Sequence, residues 1–370
     1  MSARLEHLRE RLQTDGWAGA VLMPAINLTY LTGLRFHPGK RLTLLLLSAS
    51  DTPPVMVLPQ LELERVRASV TFAARFFAWS DAEGPLKALT TGMEAAFGAG
   101  VPAKPIAVEH SAMRVMELRA LEAVAPGIRT GDLDPLLSEL RMVKDAEELL
   151  LMERAVAIVE QALQAFLPHI RPGVSERALS RMLSEAILAA GADGESFANM
   201  IASGPNAANP HHENSDRLLQ TGDLVIIDCG AVYRGYHSDI TRTIAVGEPD
   251  PVARHIYDIV LAANTAGRDA CRPGVSGAAI DAAARSVIEA AGYGAAFVHR
   301  TGHGLGLETH ELPNIVAGSD TPLRPGTTFT VEPGIYLPGQ YGVRIEDDVV
   351  ITEYGSRSLT TFPRELIVVY

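Results

Sequence analysis

The sequence has little of what disulfide-stabilised, nucleic-acid-binding or membrane-spanning proteins need. Its two cysteines, Cys229 and Cys271, exclude a disulfide framework. Acidic residues outnumber basic ones, and the net charge of −12 argues against nucleic acid or an anionic membrane as the main partner. The longest apolar run, LTLLLLSA at 42–49, is too short to cross a bilayer and is typical of a buried strand.

The first residues also lack a secretion signal. The segment MSARLEHLRERLQTDG at 1–16 is charged and amphipathic, without the apolar centre of a signal peptide. We therefore expect a cytoplasmic protein. Residues 1–134 contain no glycine-rich phosphate-binding motif. With 370 residues, of which 47% are hydrophobic, the chain is long enough for two domains with buried cores.

The order of the segments predicts domains at 1–134 and 135–370. The first alternates helix-like and strand-like stretches, such as the strand-like Ala18–Met23, and this is an α/β pattern. The pattern changes near Gly131–Pro135. A long amphipathic helix is then predicted over about 144–166.

The second domain contains an internal repeat. The pentapeptide RPGVS occurs at 171–175 and again at 272–276, each time between two helix-like segments. Further on, GDLVIIDCG at 222–230 is matched by GTTFTVEPG at 326–334. Five identical residues can coincide in ordinary helix punctuation, but here the order helix, turn, helix, strand repeats as a whole. We interpret this as a duplication that produced two pseudo-symmetric α/β halves.

Four carboxylates and one imidazole are potential metal ligands. They are Asp228, Asp239, His303, Glu332 and Glu346. Such a set suits two hard divalent cations that share bridging ligands. The repeat makes Asp228 equivalent to Glu332, and Asp239 is then equivalent to Glu346. Each half is therefore expected to supply one hairpin that carries two acids.

The surroundings of these acids favour a metal site. Asp228 follows the apolar residues Leu224–Ile227 and is expected inside a sheet. A buried carboxylate is destabilising unless it is paired or bound to metal. Turns at Arg234-Gly235 and Pro338-Gly339 would let the two acids of each hairpin face each other across a ladder. A salt bridge at a strand end explains any one acid alone, but not five ligands together.

Several histidines lie near these segments. His211 occurs in NPHH, while His299 and His310 flank the glycine-rich segment around the predicted ligand His303. A lone histidine is more often structural than catalytic, and we interpret His212 and His237 in that way.

The predicted metal pair indicates a type of reaction. Two cations roughly 3.5–4 Å apart can activate a water molecule and polarise a carbonyl group. A carboxylate beside that water can take its proton and pass it to a leaving nitrogen. The predicted chemistry is hydrolysis of an amide or ester.

These residues resemble the pita-bread metallopeptidases, which include methionine aminopeptidase, aminopeptidase P and prolidase. The order D-x10-D, H, E, E matches that family's ligand set across 135–370. The segments GHGLGLETHELP, VEPGIY and VRIEDDVVIT resemble its proline-directed branch. The resemblance implies an α/β N-terminal creatinase-type domain. It also implies an α+β C-terminal pita-bread domain with internal pseudo-two-fold symmetry.

The resemblance also implies roles for individual residues. Glu332 would be a metal ligand and also the general base and proton shuttle. His211 would steady the oxyanion or the leaving group, and His310 would contact the substrate near the scissile amide. His299 would line the pocket for the proline ring. Arg344 would hold the ligand carboxylates and contact the substrate.

The resemblance leaves the exact activity open. The compact length favours a prolidase, which cleaves Xaa-Pro dipeptides. An Xaa-Pro aminopeptidase acting on longer peptides is the closest alternative, followed by a C-terminal exopeptidase. A non-catalytic binding module is disfavoured, as is creatinase, because every expected ligand is present.

The ligand set favours Mn²⁺, with Co²⁺, Fe²⁺ and Zn²⁺ as alternatives. Relatives of this kind are commonly homodimers, so a homodimer is expected.

A dipeptidase also needs a group that reads the free carboxylate of its substrate. The segment LRFHPGKR at 34–41 offers His37, Lys40 and Arg41 for this role. An ordinary solvated loop between two strands is an equally good interpretation of the same segment.

Overall fold

The computed structural model describes residues 3–36 and 39–370 and divides into two compact units, unit 1 (Met1–Leu140) and unit 2 (Arg141–Tyr370). The boundary predicted at 134/135 falls at the start of the helix Asp134–Met142. This helix begins within unit 1, where the Tyr30 hydroxyl donates a hydrogen bond to the Leu140 carbonyl.

Unit 1 is an α/β unit with one mixed sheet. Its helices are α1 (Ala3–Thr14), α2 (Ile26–Thr32), α3 (Leu63–Ser69), α4 (Leu86–Phe97), α5 (Val115–Val124) and α6 (Asp134–Met142). Its strands are β1 (Gly19–Leu22), β2 (Leu44–Ser48), β3 (Val55–Pro59), β4 (Arg75–Trp79), β5 (Ile106–Val108) and β6 (Thr130–Asp132). The sheet order is β4-β3-β2-β1-β5-β6, in which β2 is antiparallel to both neighbours and the other pairs are parallel.

The core of unit 1 follows from its apolar runs. The run predicted as a buried strand forms β2, whose residues are all buried, and β1 beside it is buried along its whole length. Leu89 and Met93 of α4 pack against these strands, together with Leu121 of α5. The predicted α/β architecture of this part of the chain is confirmed.

Unit 2 combines long helices with several antiparallel strand ladders. Its helices are α7 (Ala146–Phe166), α8 (Glu176–Ala189), α9 (Pro251–Ala270) and α10 (Gly277–Ala290). Its strands are β7 (Gly194–Glu195), β8 (Met200–Ser203), β9 (Leu224–Cys229), β10 (Ala231–Tyr233), β11 (Tyr236–His237), β12 (Ile240–Val246), β13 (Gly302–Gly304), β14 (Glu311–Ile315), β15 (Thr328–Val331), β16 (Gly334–Leu337), β17 (Tyr341–Arg344), β18 (Asp347–Ile351), β19 (Ser356–Ser358) and β20 (Ile367–Val369). The main sheets have the orders β20-β12-β9-β8 and β14-β13-β15-β18-β19. Within the described ranges, no helix is long and apolar enough to cross a bilayer.

The predicted internal repeat is visible in the order of elements. The helix pair α7–α8 precedes the β9–β12 ladder, and the pair α9–α10 precedes the β15–β18 ladder. Ser175 and Ser276 are the N-caps of the second helix of each pair, and each side chain accepts a backbone N–H at 3.2 Å. The glycine before each cap donates to a leucine carbonyl, from Gly173 at 2.9 Å and from Gly274 at 2.8 Å.

The register of the first ladder corrects one expectation. Strand β9 pairs with β12 so that Thr241 lies opposite Asp228. Asp239 lies two residues before Thr241, so the aspartates share a face of the ladder but are diagonal neighbours rather than directly opposed. Arg234 and Gly235 do form the predicted two-residue turn, with φ values of 51° and 88°, but it connects β10 to β11.

The second ladder differs from the first in its connection. Val331 pairs with Asp347, which leaves Glu332 and Glu346 together just beyond the end of the β15–β18 ladder. The predicted turn at Pro338-Gly339 belongs to a separate hairpin, β16–β17, which lies between the two acids in the chain. The two acids therefore meet because β15 pairs with β18, and not because that turn brings them together.

Candidate metal centre

The ends of the two ladders bring the predicted ligands into one cluster. Asp239, His303 and Glu346 each offer a ligand atom, and these atoms all lie within 4.8 Å of one another. His303 Nε2 is 3.7 Å from Asp239 Oδ2 and 3.4 Å from Glu332 Oε1. One imidazole and carboxylates from both halves thus converge at a single point.

The imidazole of His303 is oriented as a ligand. Its Nδ1 lies 3.1 Å from the Gly304 carbonyl oxygen. Because a carbonyl only accepts, Nδ1 carries the hydrogen and Nε2 turns its lone pair toward the acids. A backbone carbonyl that fixes the tautomer of a metal-binding histidine is a common arrangement in metalloproteins.

The charges of the cluster are unbalanced without a cation. Burial and the neighbouring carboxylates raise the pKa of Asp239 and of Glu346 well above their usual values. Burial also raises the pKa of Glu332 to about 7, against the opposing charge of Arg344. Asp228 Oδ1 and Asp239 Oδ1 are buried and have no hydrogen-bond partner among the described residues. Orphaned carboxylate oxygens in such a cluster fit the coordination of hard divalent cations.

Arg344 is the main positive charge inside the cluster. Its Nη2 donates to Asp228 Oδ2 at 2.5 Å, and its Nη1 donates to the Tyr336 hydroxyl at 3.0 Å. Its Nε donates to Thr241 Oγ1 at 3.1 Å, and the same hydroxyl donates to Glu346 Oε2 at 2.6 Å. One guanidinium thus contacts an acid of the first half directly and an acid of the second half through Thr241.

One cavity of about 650 Å³ contains all the site residues predicted from the sequence. It is lined by Asp228, Asp239, His303, Glu332, Glu346, Arg344, His211, His299 and His310. The residues interpreted as structural do not line it: His212 Nε2 lies 2.7 Å from Glu176 Oε2, and His237 Nδ1 lies 3.1 Å from Thr309 Oγ1.

The histidines of the cavity are held in different ways. His299 Nδ1 lies 2.7 Å from the Arg300 carbonyl and its Nε2 lies 2.8 Å from the Tyr336 hydroxyl, so both ring nitrogens are engaged. Burial lowers the pKa of His299 to about 4, which keeps the ring neutral. His310 packs edge-on against His303 with 4.2 Å between ring centroids. His211 is exposed, in the loop that follows β8.

Sequence reasoning missed several lining residues. Phe197, Arg300 and Thr309 also face the cavity. Arg300 directly follows His299 and Thr309 directly precedes His310, so proximity to the predicted histidines was the available signal. Asp348 was missed as well: its Oδ2 accepts the backbone N–H of Asp239 at 3.0 Å.

The 34–41 segment lies in unit 1. Arg41 donates to both carboxylate oxygens of Asp81, at 2.8 and 2.6 Å, and Lys40 is exposed. His37 lies outside the described residues. Arg41 therefore has an ion-pair partner within its own unit, and recognition of a substrate carboxylate by this segment stays a prediction.

Comparison with family models divides the chain in the same way as the structure. Residues 150–353 match the model for metallopeptidase family M24. Residues 4–143 match the model for the creatinase/prolidase N-terminal domain. All five candidate ligands lie within the residues matched by the M24 model.

Individual relatives match over nearly the whole chain. A probable dipeptidase PepE of Mycobacterium tuberculosis is 41% identical over 96% of this chain and 92% of its own length. The crystal structure of a dipeptidase from Pyrococcus horikoshii matches with a TM-score of 0.92 and 41% identity, over 99% of this chain and 100% of the other. A prolidase structure from Thermococcus sibiricus matches with a TM-score of 0.91 and 36% identity, over 99% and 98% of the two chains.

Proposed function

Because the chain belongs to metallopeptidase family M24, we propose that it is a prolidase, which hydrolyses the Xaa-Pro bond of dipeptides. The names of the matched proteins, a probable dipeptidase, a dipeptidase and a prolidase, support this choice. The observation that carries the proposal is that all nine predicted site residues line one cavity of about 650 Å³. That volume is within the usual range of small-molecule sites, roughly 300–1,000 Å³.

The proposed cofactor is a pair of divalent cations. The proposed ligands are Asp228, Asp239, His303, Glu332 and Glu346. We expect Mn²⁺ because four of these ligands are carboxylates, and Co²⁺, Fe²⁺ and Zn²⁺ remain alternatives because ligand type alone does not select among them. When bound, such a pair lowers the pKa of water and polarises the scissile carbonyl.

Glu332 is the proposed general base. Its carboxylate lines the cavity, and the Thr330 hydroxyl donates to Oε1 at 3.0 Å, which limits its rotation. In the proposed reaction Glu332 takes a proton from the attacking water and delivers it to the proline nitrogen as the amide bond breaks.

The histidines and Arg344 are proposed to position the peptide. His310 contacts the substrate beside the scissile amide, and His211 steadies the oxyanion or the leaving group. The nitrogens of His299 already have partners, so this residue offers the proline its ring rather than a hydrogen bond. Arg344 holds Asp228 in place, and we also propose that it contacts the substrate.

Proline explains the need for such a site. An Xaa-Pro amide is tertiary and has no N–H, so peptidases that recognise that hydrogen fail on it. A cavity that accepts the ring by its shape does not need the N–H. Phe197 and Pro210 add apolar surface to the cavity for this purpose.

The test is metal-dependent cleavage of Ala-Pro and Ala-Pro-Ala by the Mn²⁺-loaded enzyme. We expect fast cleavage of Ala-Pro and little cleavage of the tripeptide. Glu332→Gln is the control, and it should lower kcat by about 10²- to 10⁴-fold, as expected for a lost general base.

Other outcomes would change the assignment. A preference for Ala-Pro-Ala would identify an Xaa-Pro aminopeptidase. If the loaded enzyme cleaves neither peptide, the proline-directed assignment fails, and a C-terminal exopeptidase or a binding module must be tested instead. The cytoplasmic location and the homodimer stay predictions.

A further inference from the structure

A buried ion cluster lies behind the loop that carries His310. The Glu311 carboxylate accepts hydrogen bonds from Lys144 Nζ at 3.1 Å and from Arg141 Nη2 at 2.5 Å. The side chains of these three residues, the Glu311 cluster, are 5%, 1% and 9% exposed respectively. None of the three lines the cavity described above. Ions buried to this extent are destabilising unless they are paired.

The cluster fixes the loop between His303 and His310. The backbone N–H of Glu308 donates to Glu311 Oε1 at 3.0 Å. Gly306 packs so closely on Lys144 that a β-carbon there would lie 2.6 Å from the lysine Cε. The Gly306 carbonyl also accepts the His237 N–H at 2.8 Å. Contacts with neighbouring groups therefore fix the loop backbone at Gly306 and at Glu308.

The imidazole of His310 has no comparable support of its own. Within residues 3–36 and 39–370, no group forms a hydrogen bond with this ring, which packs on His303 at 4.2 Å between centroids. Its position thus depends on that packing and on the backbone. Glu311 is the next residue and begins β14, where successive side chains point to opposite faces.

We propose that Glu311, held by Lys144 and Arg141, is the positioning residue that places the His310 imidazole in the cavity. This inference rests on the proposed function, in which His310 contacts the substrate. Glu311 itself does not touch the substrate. Its carboxylate is fixed in the ion cluster on one side of the backbone, and this fixes the backbone so that the His310 imidazole points into the cavity on the other side.

The electrostatics favour an ionised Glu311, while burial lowers the pKa of Lys144. Burial opposes ionisation of Glu311, but the charges of Lys144 and Arg141 outweigh it, so the pKa of Glu311 lies below its usual value. The carboxylate is therefore charged at neutral pH. Glu308 also contacts Arg141, at 2.6 Å, but its side chain is 52% exposed. The chain thus contains a matched control two residues from His310.

A double-mutant cycle tests the proposal. Glu311→Gln should lower kcat/KM for Ala-Pro by about 10- to 100-fold, as a catalytic group displaced by about 1 Å would. In a His310→Ala background the same change should cost less than about threefold, because the residue through which it acts is gone. Glu308→Gln should change kcat/KM by less than about threefold in either background. Equal effects of Glu311→Gln with and without His310 would overturn the proposal.

Folding is controlled with a second variant. Glu311→Gln leaves Lys144 with a buried, unpaired charge, whereas Lys144→Met combined with Glu311→Gln removes both charges. The combined variant should recover melting temperature but not kcat/KM. If it recovers both, the cluster serves stability alone and the proposal is wrong.

Crystal structures of Glu311→Gln and Glu308→Gln provide a readout that does not depend on activity. The His303–His310 centroid distance of 4.2 Å should change in the first variant and persist in the second. An unmoved ring in Glu311→Gln would contradict the proposal even if activity falls. If the wild-type enzyme does not cleave Xaa-Pro peptides, the proposed function fails, and these structures alone decide whether Glu311 positions His310.

Discussion

The two halves of unit 2 share a backbone plan but stabilise it differently at equivalent positions. In each half a serine caps the second helix, and the next residue begins that helix. In the first half this residue is Glu176, whose buried carboxylate holds a loop. In the second half it is Gly277, where a β-carbon would lie 2.4 Å from the Asn314 carbonyl oxygen. A side chain supports a loop in the first half, and direct backbone contact with strand β14 takes its place in the second.

The carboxylate of Glu176 organises the loop that carries His211. Its Oε1 accepts from the backbone and hydroxyl of Ser203, at 2.8 and 2.6 Å. Its Oε2 accepts from the backbone and hydroxyl of Ser215, at 3.0 and 2.6 Å, and lies 2.7 Å from His212 Nε2. The comparison teaches that a repeated plan can keep its backbone bonds while one copy relies on a side chain, Glu176, and the other on close backbone packing at Gly277.

The largest expected effect comes from removing one acid from each half. Asp239→Asn and Glu346→Gln should each lower kcat/KM by more than the roughly 100-fold expected for residues that only support a ligand. Both should also lose bound metal, as measured by metal analysis of the purified variants. Each substitution removes a buried carboxylate that is repelled by neighbouring carboxylates. Without metal, the variants should therefore melt at or above the melting temperature of the metal-free wild type.

The control for this pair is Asp258→Asn, which removes an exposed acid from α9. It should leave metal content and kcat/KM unchanged. If only one of the two variants, Asp239→Asn or Glu346→Gln, loses metal, the two halves do not contribute equally to metal binding. The equivalence of Asp239 and Glu346 would then be wrong.

The next effect tests the close backbone contact in the second half. Gly277→Ala should lower stability by about 1–3 kcal/mol, because the new β-carbon meets a backbone oxygen that cannot rotate away. For a unit of this size the melting temperature should fall by roughly 3–10 °C. Gly355→Ala is the control, since no described atom lies within 4 Å of the position that its β-carbon would take. An unchanged melting temperature in Gly277→Ala would show that strand β14 shifts away from the helix at no cost in stability.

A pH-dependent effect is expected from the equivalent position in the first half. Hydrogen bonds to the charged carboxylate overcome burial and lower the pKa of Glu176 from 4.5 to about 2. Because the pKa of Glu176 is lower in the folded than in the unfolded protein, its ionised carboxylate stabilises the fold at pH values above about 4.5. This stabilisation is lost as the pH falls from about 4.5 toward 2. Glu176→Gln should therefore cost on the order of 2 kcal/mol at pH 7 and less in acid.

Thermal melts of wild type and Glu176→Gln at pH 7, 4.5 and 3 measure this difference. The difference in melting temperature between wild type and Glu176→Gln should become clearly smaller only at pH 3. Glu213→Gln, an exposed acid in the same loop, should show no gap at any pH. A gap that stays constant across this range would mean that the loop does not depend on the charge of Glu176.

The smallest effects should be equal in the two halves. Ser175→Ala and Ser276→Ala each remove a cap hydrogen bond of 3.2 Å. Each should cost about 1 kcal/mol, a typical value for a lost serine cap. Melting temperatures that differ by more than a few degrees would show that one helix pair carries more of the stability than the other.

The sequence predicted which residues would line one cavity, but not the strand geometry that brings them together. The five candidate ligands could be grouped because buried acids in repeated strand patterns are unusual, and the repeat related the four acids in pairs. The register that places Thr241 opposite Asp228 could not be found in that way, because a shift along a ladder leaves the sequence pattern of each strand intact.

Other features depended on tertiary contacts that no local pattern encodes. The helical spacing of Leu179, Met182 and Leu183 in the sequence predicts one buried face of α8, yet Met182 is 38% exposed while the two leucines are fully buried. Lys144 was expected only as a helix boundary, but its partner Glu311 lies far along the chain. Periodicity shows that a helix has an apolar face, whereas a buried ion pair between distant segments requires the fold itself.

Strand β20, near the end of the chain, completes a sheet whose other strands are synthesised much earlier. Ile367–Val369 pairs in parallel with Ile244–Val246 of β12, at the edge of the sheet that carries Asp228. On the ribosome, β12 is therefore made long before the strand that completes its sheet. Contacts so distant in sequence form late and slow folding. We expect the nascent first half to expose an unpaired strand edge until β20 emerges, which makes it a point where chaperones or aggregation compete with folding.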